Sequence, residues 1–240
     1  RSDCYHQLKG SEWDPWEWSL MRSRRCRLVA MRDRITARGL RRKGVQALAP
    51  GNPMMDGLQI QPLPSALERC RRVLLLCGSR MPEAQRNLQR LVRSAMAMPG
   101  HVPMALLVAV GAQPDASALS NSLERLGFRQ SLPPSDQLQA EACWVKGACL
   151  VLIGRGCFER WAGWAEAGIA TAGTATEQLV GLGIPALSLP GPGPQFKPGF
   201  ARRQSRLLGG SVRPCFSESE LTKRLEFLLD DPALRSHLGR

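Results

Sequence analysis

IATAGTATEQLVGLGIPALSLPGPGPQF, residues Ile169 to Phe196, is the stretch of sequence that decides the fold. An apolar run ends at Gly173, a short helix-like segment opens on small and hydroxyl residues, and a second apolar run follows before a Pro/Gly loop. Two strands that are apolar throughout, joined by a helix, are typical of a parallel sheet covered on both faces. The stretch also raises a question, because a lone carboxylate, Glu177, stands at the head of the helix.

The same alternation of strands and helices continues on both sides of this stretch. We predict strands at 71–80, 104–111, 143–154 (one or two strands), 167–173, 185–190 and 211–214. Helical spacing of apolar residues predicts helices at 88–96, 116–126, 157–165, 175–182, 196–208 and, after a Ser217-x-x-Glu220 capping box, from 217 onward. The predicted fold class is therefore α/β, with a doubly wound parallel sheet over about 65–240.

The first 64 residues follow a different pattern. Residues 26–31 and 45–48 are predicted as short strands, and Asp33 is placed to cap a helix that runs to Lys43 and stops at Gly44. Pro and Gly then interrupt regular structure over 50–64, which is typical of a linker.

The charge of the chain is strongly positive. The net charge is +13, and residues 1–50 hold twelve Arg/Lys against five Asp/Glu. Three interpretations of these cations stay open: a solvated surface, contact with acidic lipid head groups or a phosphorylated ligand, and nucleic-acid binding. The tryptophans between 13 and 18 fit a membrane interface, a domain contact or plain core packing.

The residue pattern disfavours several kinds of segment and of functional site. No apolar run is long enough for a membrane helix, and no signal peptide is visible. The eight cysteines have no C-x-x-C spacing and are interpreted as buried free thiols in a reducing compartment, and no metal site is expected. No Ser-His-Asp or Cys-His arrangement, dinucleotide fingerprint or P-loop is present.

The loops at the carboxyl ends of the predicted strands are the candidate binding segments, since ligands of such sheets bind there. Gly173, Thr174 and Ala175 leave backbone N–H groups available for a phosphate at a helix start. Glu177 suits the diol of a ribose. Thr174-x-x-Glu177 is equally the spacing of a capping box, in which Glu177 serves only the helix.

A second strand-end loop adds to this candidate site. Gly78 permits close approach, Ser79 can donate a hydrogen bond and Arg80 can neutralise a diphosphate, although the three could also form an ordinary turn. Gln195 and Gln204 flank the last Pro/Gly loop and its helix, and their amides suit sugar hydroxyls as well as solvent.

Four segments together resemble one known family. GNPMMDGL (51–58), GSRMPEA (78–84), AGTATEQLVGLGIPALSLPGPGPQF (172–196) and RRQSRLLG (202–209) resemble the lipid-A-disaccharide synthase-related proteins, which are GT-B fold glycosyltransferases. GT-B enzymes have two Rossmann-like domains with the active site between them. The resemblance implies that residues 1–52 are the end of the acceptor-side domain and that 53–240 form the nucleotide-sugar-binding domain.

The resemblance also implies roles for individual residues. It places Gly78, Ser79 and Arg80 beside the donor diphosphate, Gly173, Thr174 and Ala175 on phosphate, Glu177 on the ribose, Cys157 and Phe158 near uracil, and Gln195 and Gln204 near the donor sugar. The catalytic base of relatives belongs to the first domain and is not identified in this sequence.

The implied reaction is transfer of an N-acetylglucosamine-type sugar from a UDP-sugar to a lipid or glycolipid acceptor, with inversion. The UDP-sugar is the substrate, and neither a metal nor another cofactor is implied. The expected location is the cytoplasm, with contact to the anionic inner face of the cytoplasmic membrane and no specific nucleic acid. A UDP-sugar 2-epimerase of the same fold, or a non-catalytic basic domain that binds nucleotides or nucleic acid, is the alternative.

Overall fold

The structure is a computed structural model that describes residues 13–100, 102–191 and 196–239. The chain divides after Gly57 into two compact units. The assignment of residues 1–52 to the end of a larger acceptor-side domain, and of 53–240 to a nucleotide-sugar domain, stays a prediction.

The first unit is built around one small strand-helix-strand motif. Strand β1 (Val29–Ala30) pairs in parallel with β2 (Ala47–Leu48), and the connecting helix α2 (Arg34–Arg42) packs its buried residues against them. Asp33 caps α2 by accepting a 2.7 Å hydrogen bond from the Thr36 N–H, as predicted. A short helix, α1 (Pro15–Met21), precedes β1.

The second unit contains a mostly parallel sheet. In chain order its strands are β3 (Arg71–Leu76), β4 (Met104–Val110), β5 (Arg129–Ser131), β6 (Ala142–Lys146), β7 (Cys149–Arg155), β8 (Ala167–Ala170), β9 (Ala186–Ser188) and β10 (Val212–Pro214). Their order across the sheet is β10-β9-β8-β3-β4-β7-β6-β5. The six strands from β10 to β7 are parallel, which confirms the predicted α/β fold of GT-B type.

The chain reverses its direction of travel across the sheet beside β3. From β3 the parallel strands proceed to β4 and β7 on one side, and the chain then returns to place β8, β9 and β10 on the other. This order defines a topological switch point between β3 and β8, and in open α/β sheets ligands bind outside the carboxyl ends of the strands at that point.

Helices cover both faces of the sheet. They are α3 (Glu83–Met96), α4 (Ala116–Arg125), α5 (Phe158–Trp164), α6 (Thr174–Gly181), α7 (Pro198–Leu207), α8 (Glu218–Asp230) and α9 (Pro232–Leu238). The alternation along β3 shows the two cores: Val73 and Leu75 point into the layer of α3, α4 and α8, whereas Leu74 and Leu76 point into that of α5 and α6. Burial on both faces explains why these strands are apolar throughout.

Helix α1 of the first unit and two elements of the second unit were absent from the sequence predictions. Strand β5 is a polar edge strand whose three residues are all exposed, so it lacks the apolar signature of the other strands. Helix α9 is capped by the Asp231 side chain and has no fully buried residue. The predicted segment 143–154 is two antiparallel strands, β6 and β7.

A cluster of charges joins the last helices to the amino end of β3. Glu166, which is mostly buried, lies 3.3 Å from Arg235, 3.5 Å from Arg72 and 3.7 Å from Arg71. Arg71 also donates to the Leu229 carbonyl at the end of α8. The guanidinium groups therefore satisfy a buried carboxylate and the exposed carbonyls of a helix end together.

Among the helices of the described residues, none is both long and apolar enough to cross a membrane. The described cysteines are free thiols. Cys77, Cys143, Cys149, Cys157 and Cys215 are buried, as the sequence interpretation expected, whereas Cys26 and Cys70 are only half-buried. Cys4 lies outside the described residues.

A substitution at Gly154 in β7 tests how tightly β7 packs against α5. A Cβ atom there would lie 2.5 Å from Cη2 of Trp161 and 2.7 Å from the Cys157 sulfur. Because Trp161 is fully buried, we expect Gly154→Ala to lower the free energy of unfolding by about 1–3 kcal/mol, measured by chemical denaturation. In the control Gly111→Ala, the new methyl group meets no atom within 4 Å, and equal losses in the two variants would contradict the packing argument.

Candidate functional site

The candidate site is a cavity of about 470 Å³ at the switch point of the second unit. Its walls come from the carboxyl ends of three neighbouring strands: Gly78 and Ser79 after β3, Gly111 and Gln113 after β4, and 171–175 after β8. Phe200 of α7 lines it as well. This volume lies in the range of ordinary small-molecule sites, roughly 300–1,000 Å³.

A smaller cavity of about 150 Å³ opens beside the first. It shares Gly78 and Ser79 with the larger cavity and adds Arg80, Glu83 and Asn87 from the start of α3. The two predicted loops, 78–80 and 173–175, therefore line two adjoining cavities that share part of their walls.

Five backbone N–H groups around the larger cavity donate no hydrogen bond within the described residues. They belong to the two strand-end loops, namely Gly78, Ser79, Gly173, Thr174 and Ala175. Helix α6 begins at Thr174, so its first N–H groups have no carbonyl partner in the preceding turn. Such N–H groups, together with the positive end of the helix dipole, form a favourable environment for an anion.

Hydrogen bonds at the ends of β3 and β8 hold the two loops together. The Thr171 N–H and hydroxyl both donate to the Leu76 carbonyl, at 2.8 and 3.1 Å. Asn87 of α3 donates from Nδ2 to the Cys77 carbonyl at 3.1 Å and to the Thr171 hydroxyl at 3.0 Å. Immediately after these contacts Gly78 adopts φ +87°, a conformation that disfavours any side chain.

Gln204 of α7 lies behind the second loop. Its side chain is 4% exposed, and Nε2 donates to the carbonyls of Gly173 at 3.2 Å and Ala172 at 3.4 Å. Its Oε1 atom is buried and has no hydrogen-bond partner among the described residues. Gln204 is not among the described residues that line either cavity, so its predicted contact with a donor sugar stays a prediction.

Three further predicted site residues lie away from the cavity walls. Glu177 is half-buried on the first turn of α6. Cys157 is buried between β7 and α5, where its thiol contacts the Gln139 carbonyl at 3.3 Å, and Phe158 packs against the same core. None of the three is among the lining residues that the structure describes. Gln195 lies outside the described residues.

The start of α6 differs from one sequence interpretation. The residue in the N-cap position is Gly173, and Thr174 is the first helical residue. The capping box predicted with Thr174 as the cap is therefore wrong, because Glu177 then falls one position beyond the third helical residue that such a box uses.

Sequence reasoning missed Asn87 and Thr171. Asn87 lies on the same face of α3 as the buried residues Ala84, Leu88 and Leu91. A polar side chain at that spacing within an apolar stripe was the available indication, because buried polar groups require partners. Thr171 directly follows an apolar strand and could have been identified as part of the strand-end loop.

No metal centre is visible in the described ranges, where no three His, Cys, Asp or Glu side chains come together. The candidate site thus consists of backbone N–H groups, small side chains, Arg80 and the Phe200 wall.

Comparisons with known proteins agree with the fold. No protein-family model and no curated protein match the sequence. A solved structure of a putative UDP-N-acetylglucosamine 2-epimerase from Listeria monocytogenes matches with a TM-score of 0.58 and 12% identity, over 89% of this chain and 54% of that one. The likeness at this identity concerns the fold alone.

Two further matches have lower scores. UDP-GlcNAc 2-epimerase from Methanocaldococcus jannaschii matches with a TM-score of 0.46 and 15% identity over 82% of this chain. The glycosyltransferase SnogD from Streptomyces nogalater matches with 0.41 and 15% over 85%. The chain spans about half the length of each of these three proteins, 54% in every case.

Cys77, between β3 and Gly78, provides a test of burial at the cavity. Burial raises the pKa of its thiol from 9.0 to about 12. Between these values the unfolded chain has lost a proton that the folded chain keeps, so the free energy of unfolding falls as pH rises, by roughly 1.4 kcal/mol per pH unit.

We therefore expect Cys77→Ala to make the decline in unfolding free energy above pH 9 less steep by about that amount, measured by denaturation at a series of pH values. Parallel declines in the two proteins would show that Cys77 ionises normally in the folded state.

Proposed function

We propose that the switch-point cavity binds the diphosphate of a UDP-sugar. The observation that carries the proposal is a set of five backbone N–H groups that donate no hydrogen bond within the described residues, on two neighbouring strand-end loops that line one cavity. The exposed Arg80 adds a cation at the rim. Hydrogen bonds from backbone N–H groups and arginine to phosphate oxygens are among the strong ones, since the acceptor is charged.

The uridine part of the assignment rests on the family resemblance. Glu177 would hold the ribose, and the loop of Cys157 and Phe158 would lie towards the base. The Listeria protein, whose name states a UDP-N-acetylglucosamine activity, has the same fold and gives this assignment further support.

The reaction we propose is glycosyl transfer of the lipid-A-disaccharide synthase type. An acceptor hydroxyl on a lipid or glycolipid would attack the anomeric carbon of an N-acetylglucosamine-type sugar, and UDP would leave. The orphan N–H groups of the cavity would stabilise the charge that develops on the leaving diphosphate, so that no metal is required for this step. The base that accepts the hydroxyl proton is unassigned.

A UDP-sugar 2-epimerase is the second candidate, because the match with a TM-score of 0.58 carries that name. The two reactions share nucleotide binding and differ in whether an acceptor consumes the sugar. Analysis of products from UDP-N-acetylglucosamine, with and without a glycolipid acceptor, distinguishes them.

Nucleotide binding is tested by calorimetric titration of UDP into the full chain. We expect saturable binding that Arg80→Ala weakens by about tenfold, because a charge-assisted hydrogen bond to phosphate is lost. The matched control is Arg86→Ala, which removes an exposed arginine of α3, six residues further along the chain, that is not among the described lining residues of either cavity. Absence of binding, or equal effects of the two changes, would contradict the proposal.

We also propose that an anionic membrane surface contacts the first unit. Helix α1 turns Trp18 towards the core of that unit, whereas Trp16 and Leu20, one helical turn apart, are 57% and 61% exposed. The segment that follows presents Arg24, Arg25 and Arg27 to solvent, and none of these three forms an ion pair within the described residues.

Aromatic and aliphatic side chains beside unpaired arginines suit the interface of an anionic bilayer. The rings and chains enter the head-group region, and the cations attract acidic lipids. The acids nearest in sequence are engaged elsewhere: Glu17 accepts from the Asp14 N–H, and Asp33 caps α2.

Sedimentation with vesicles measures this contact. We expect binding to phosphatidylcholine vesicles in which about a third of the lipid is phosphatidylglycerol, which gives the surface a strong negative charge. The variant Arg24/Arg25/Arg27→Ala should bind roughly hundredfold more weakly, because each arginine near such a surface contributes about 1 kcal/mol. The control Arg86/Arg125/Arg129→Ala removes the same charge from exposed positions of the second unit and should bind as the parent does. Equal losses would reveal a general charge effect, and preferential binding to RNA with a steep salt dependence would favour the nucleic-acid alternative.

A further inference from the structure

We propose that Gln204 and Asn87 are positioning residues that orient the backbone N–H groups of the cavity. The inference rests on the proposed binding of a diphosphate there and assigns the two side-chain amides a part in it. Each carboxamide donates two hydrogen bonds into a strand-end segment from outside the loop, Gln204 from α7 and Asn87 from α3.

The geometry of the peptide group links each carbonyl to the N–H group that follows it. A trans peptide is planar, and its C=O and N–H point in opposite directions. A donor that fixes the carbonyl of one residue therefore fixes the direction of the next residue's N–H, which points away from that donor.

Gln204 applies this constraint to two successive peptide groups. Its Nε2 atom donates to the Ala172 carbonyl, which also accepts from the Thr176 hydroxyl at 2.7 Å, and so helps to orient the Gly173 N–H. It also donates to the Gly173 carbonyl, which accepts from the backbone N–H groups of Thr176 and Glu177 as well, and so helps to orient the Thr174 N–H. Both N–H groups then point away from the Gln204 amide. Gly173 and Thr174 line the larger cavity, and neither N–H has a partner within the described residues.

Asn87 acts in the same way on the first loop. Its Nδ2 atom holds the Cys77 carbonyl, which orients the N–H of Gly78. The second bond of Asn87, to the Thr171 hydroxyl, joins this peptide to the β8 end, where Thr171 is itself bonded to the Leu76 carbonyl. The two loops are thus fixed relative to each other as well as individually.

The burial of Gln204 supports a role for its donors. An apolar side chain of similar shape, such as methionine, would fill the same space without burying the Oε1 atom, which has no partner among the described residues. A buried acceptor without a partner lowers stability. A glutamine in a position that is 4% exposed is therefore best explained by the two hydrogen bonds that only its amide nitrogen supplies.

The test separates orientation of the phosphate donors from general stability. In Gln204→Met and Asn87→Leu the shape is largely kept and the donors are removed. We expect each to weaken UDP binding by about tenfold or more, as loss of well-oriented hydrogen bonds to a charged group requires, and to leave uridine binding within about twofold. UDP is measured by calorimetry and uridine by NMR shift titration.

The control Gln89→Met removes a side-chain amide that forms a hydrogen bond between two helices of the second unit. Gln89 of α3 donates to the Ser122 hydroxyl of α4 at 3.3 Å and lines neither cavity in the described residues. It should lower stability to a similar extent and leave the UDP affinity unchanged.

The outcomes distinguish this inference from the proposed function. If the parent chain binds no UDP, the proposed function fails and the positioning role fails with it. If the parent binds UDP and the Gln204 and Asn87 variants bind it equally well, or lose UDP and uridine in equal proportion, the positioning role is overturned and the proposed function stands.

Discussion

The pairing of β3 with β8 is the interaction on which the rest of the site depends. These strands are far apart in sequence, and their parallel register runs from Val73 opposite Ala167 to Leu76 opposite Ala170. The register ends with both Thr171 bonds on the Leu76 carbonyl. Because both strands end at the same level, the loops that follow them open onto one cavity. A slip of one residue would exchange the two faces of the strand and separate the loops.

The sequence predicted the elements whose structure depends on burial alone. It did not predict the features that depend on one specific contact between side chains or with the backbone. The strands of the parallel sheet are covered on both faces, so their apolar character was visible without any knowledge of partners. Strand β5 is held only at an edge and carries Arg129, Gln130 and Ser131, which have no apolar pattern. The family resemblance implies that Cys157 and Gln204 lie near a ligand, and it gave no indication of their contacts with Gln139 and with the loop backbone. Such contacts depend on elements distant in sequence, which spacing does not encode.

The net charge of +13 has different physical meanings in the two units. In the second unit several arginines stabilise the fold: Arg71, Arg72 and Arg235 surround Glu166, and Arg90 joins Glu218 to the Pro190 carbonyl. These side chains have internal partners, and the carboxylates of Glu166 and Glu218 offset part of their charge. Arg24, Arg25 and Arg27 of the first unit have no such partner within the described residues, so their charge is available to an anionic surface. A sum over the whole chain conceals this difference.

Glu177, the lone carboxylate at the head of α6, lies on the first turn of that helix. The cap of the helix is Gly173, which leaves no place for Glu177 in a box closed by Thr174. A carboxylate in the first turn still gains from the helix dipole, and this favourable field accounts for its presence without any ligand. The same field acts on a phosphate at the orphan N–H groups of 173–175, and there a second negative charge pointing into the cavity would oppose binding. The carboxylate lies outside the walls that the structure describes, so the two anions need not compete for one space. A ribose hydroxyl, which donates a hydrogen bond and carries no charge, is the kind of group that could bridge them.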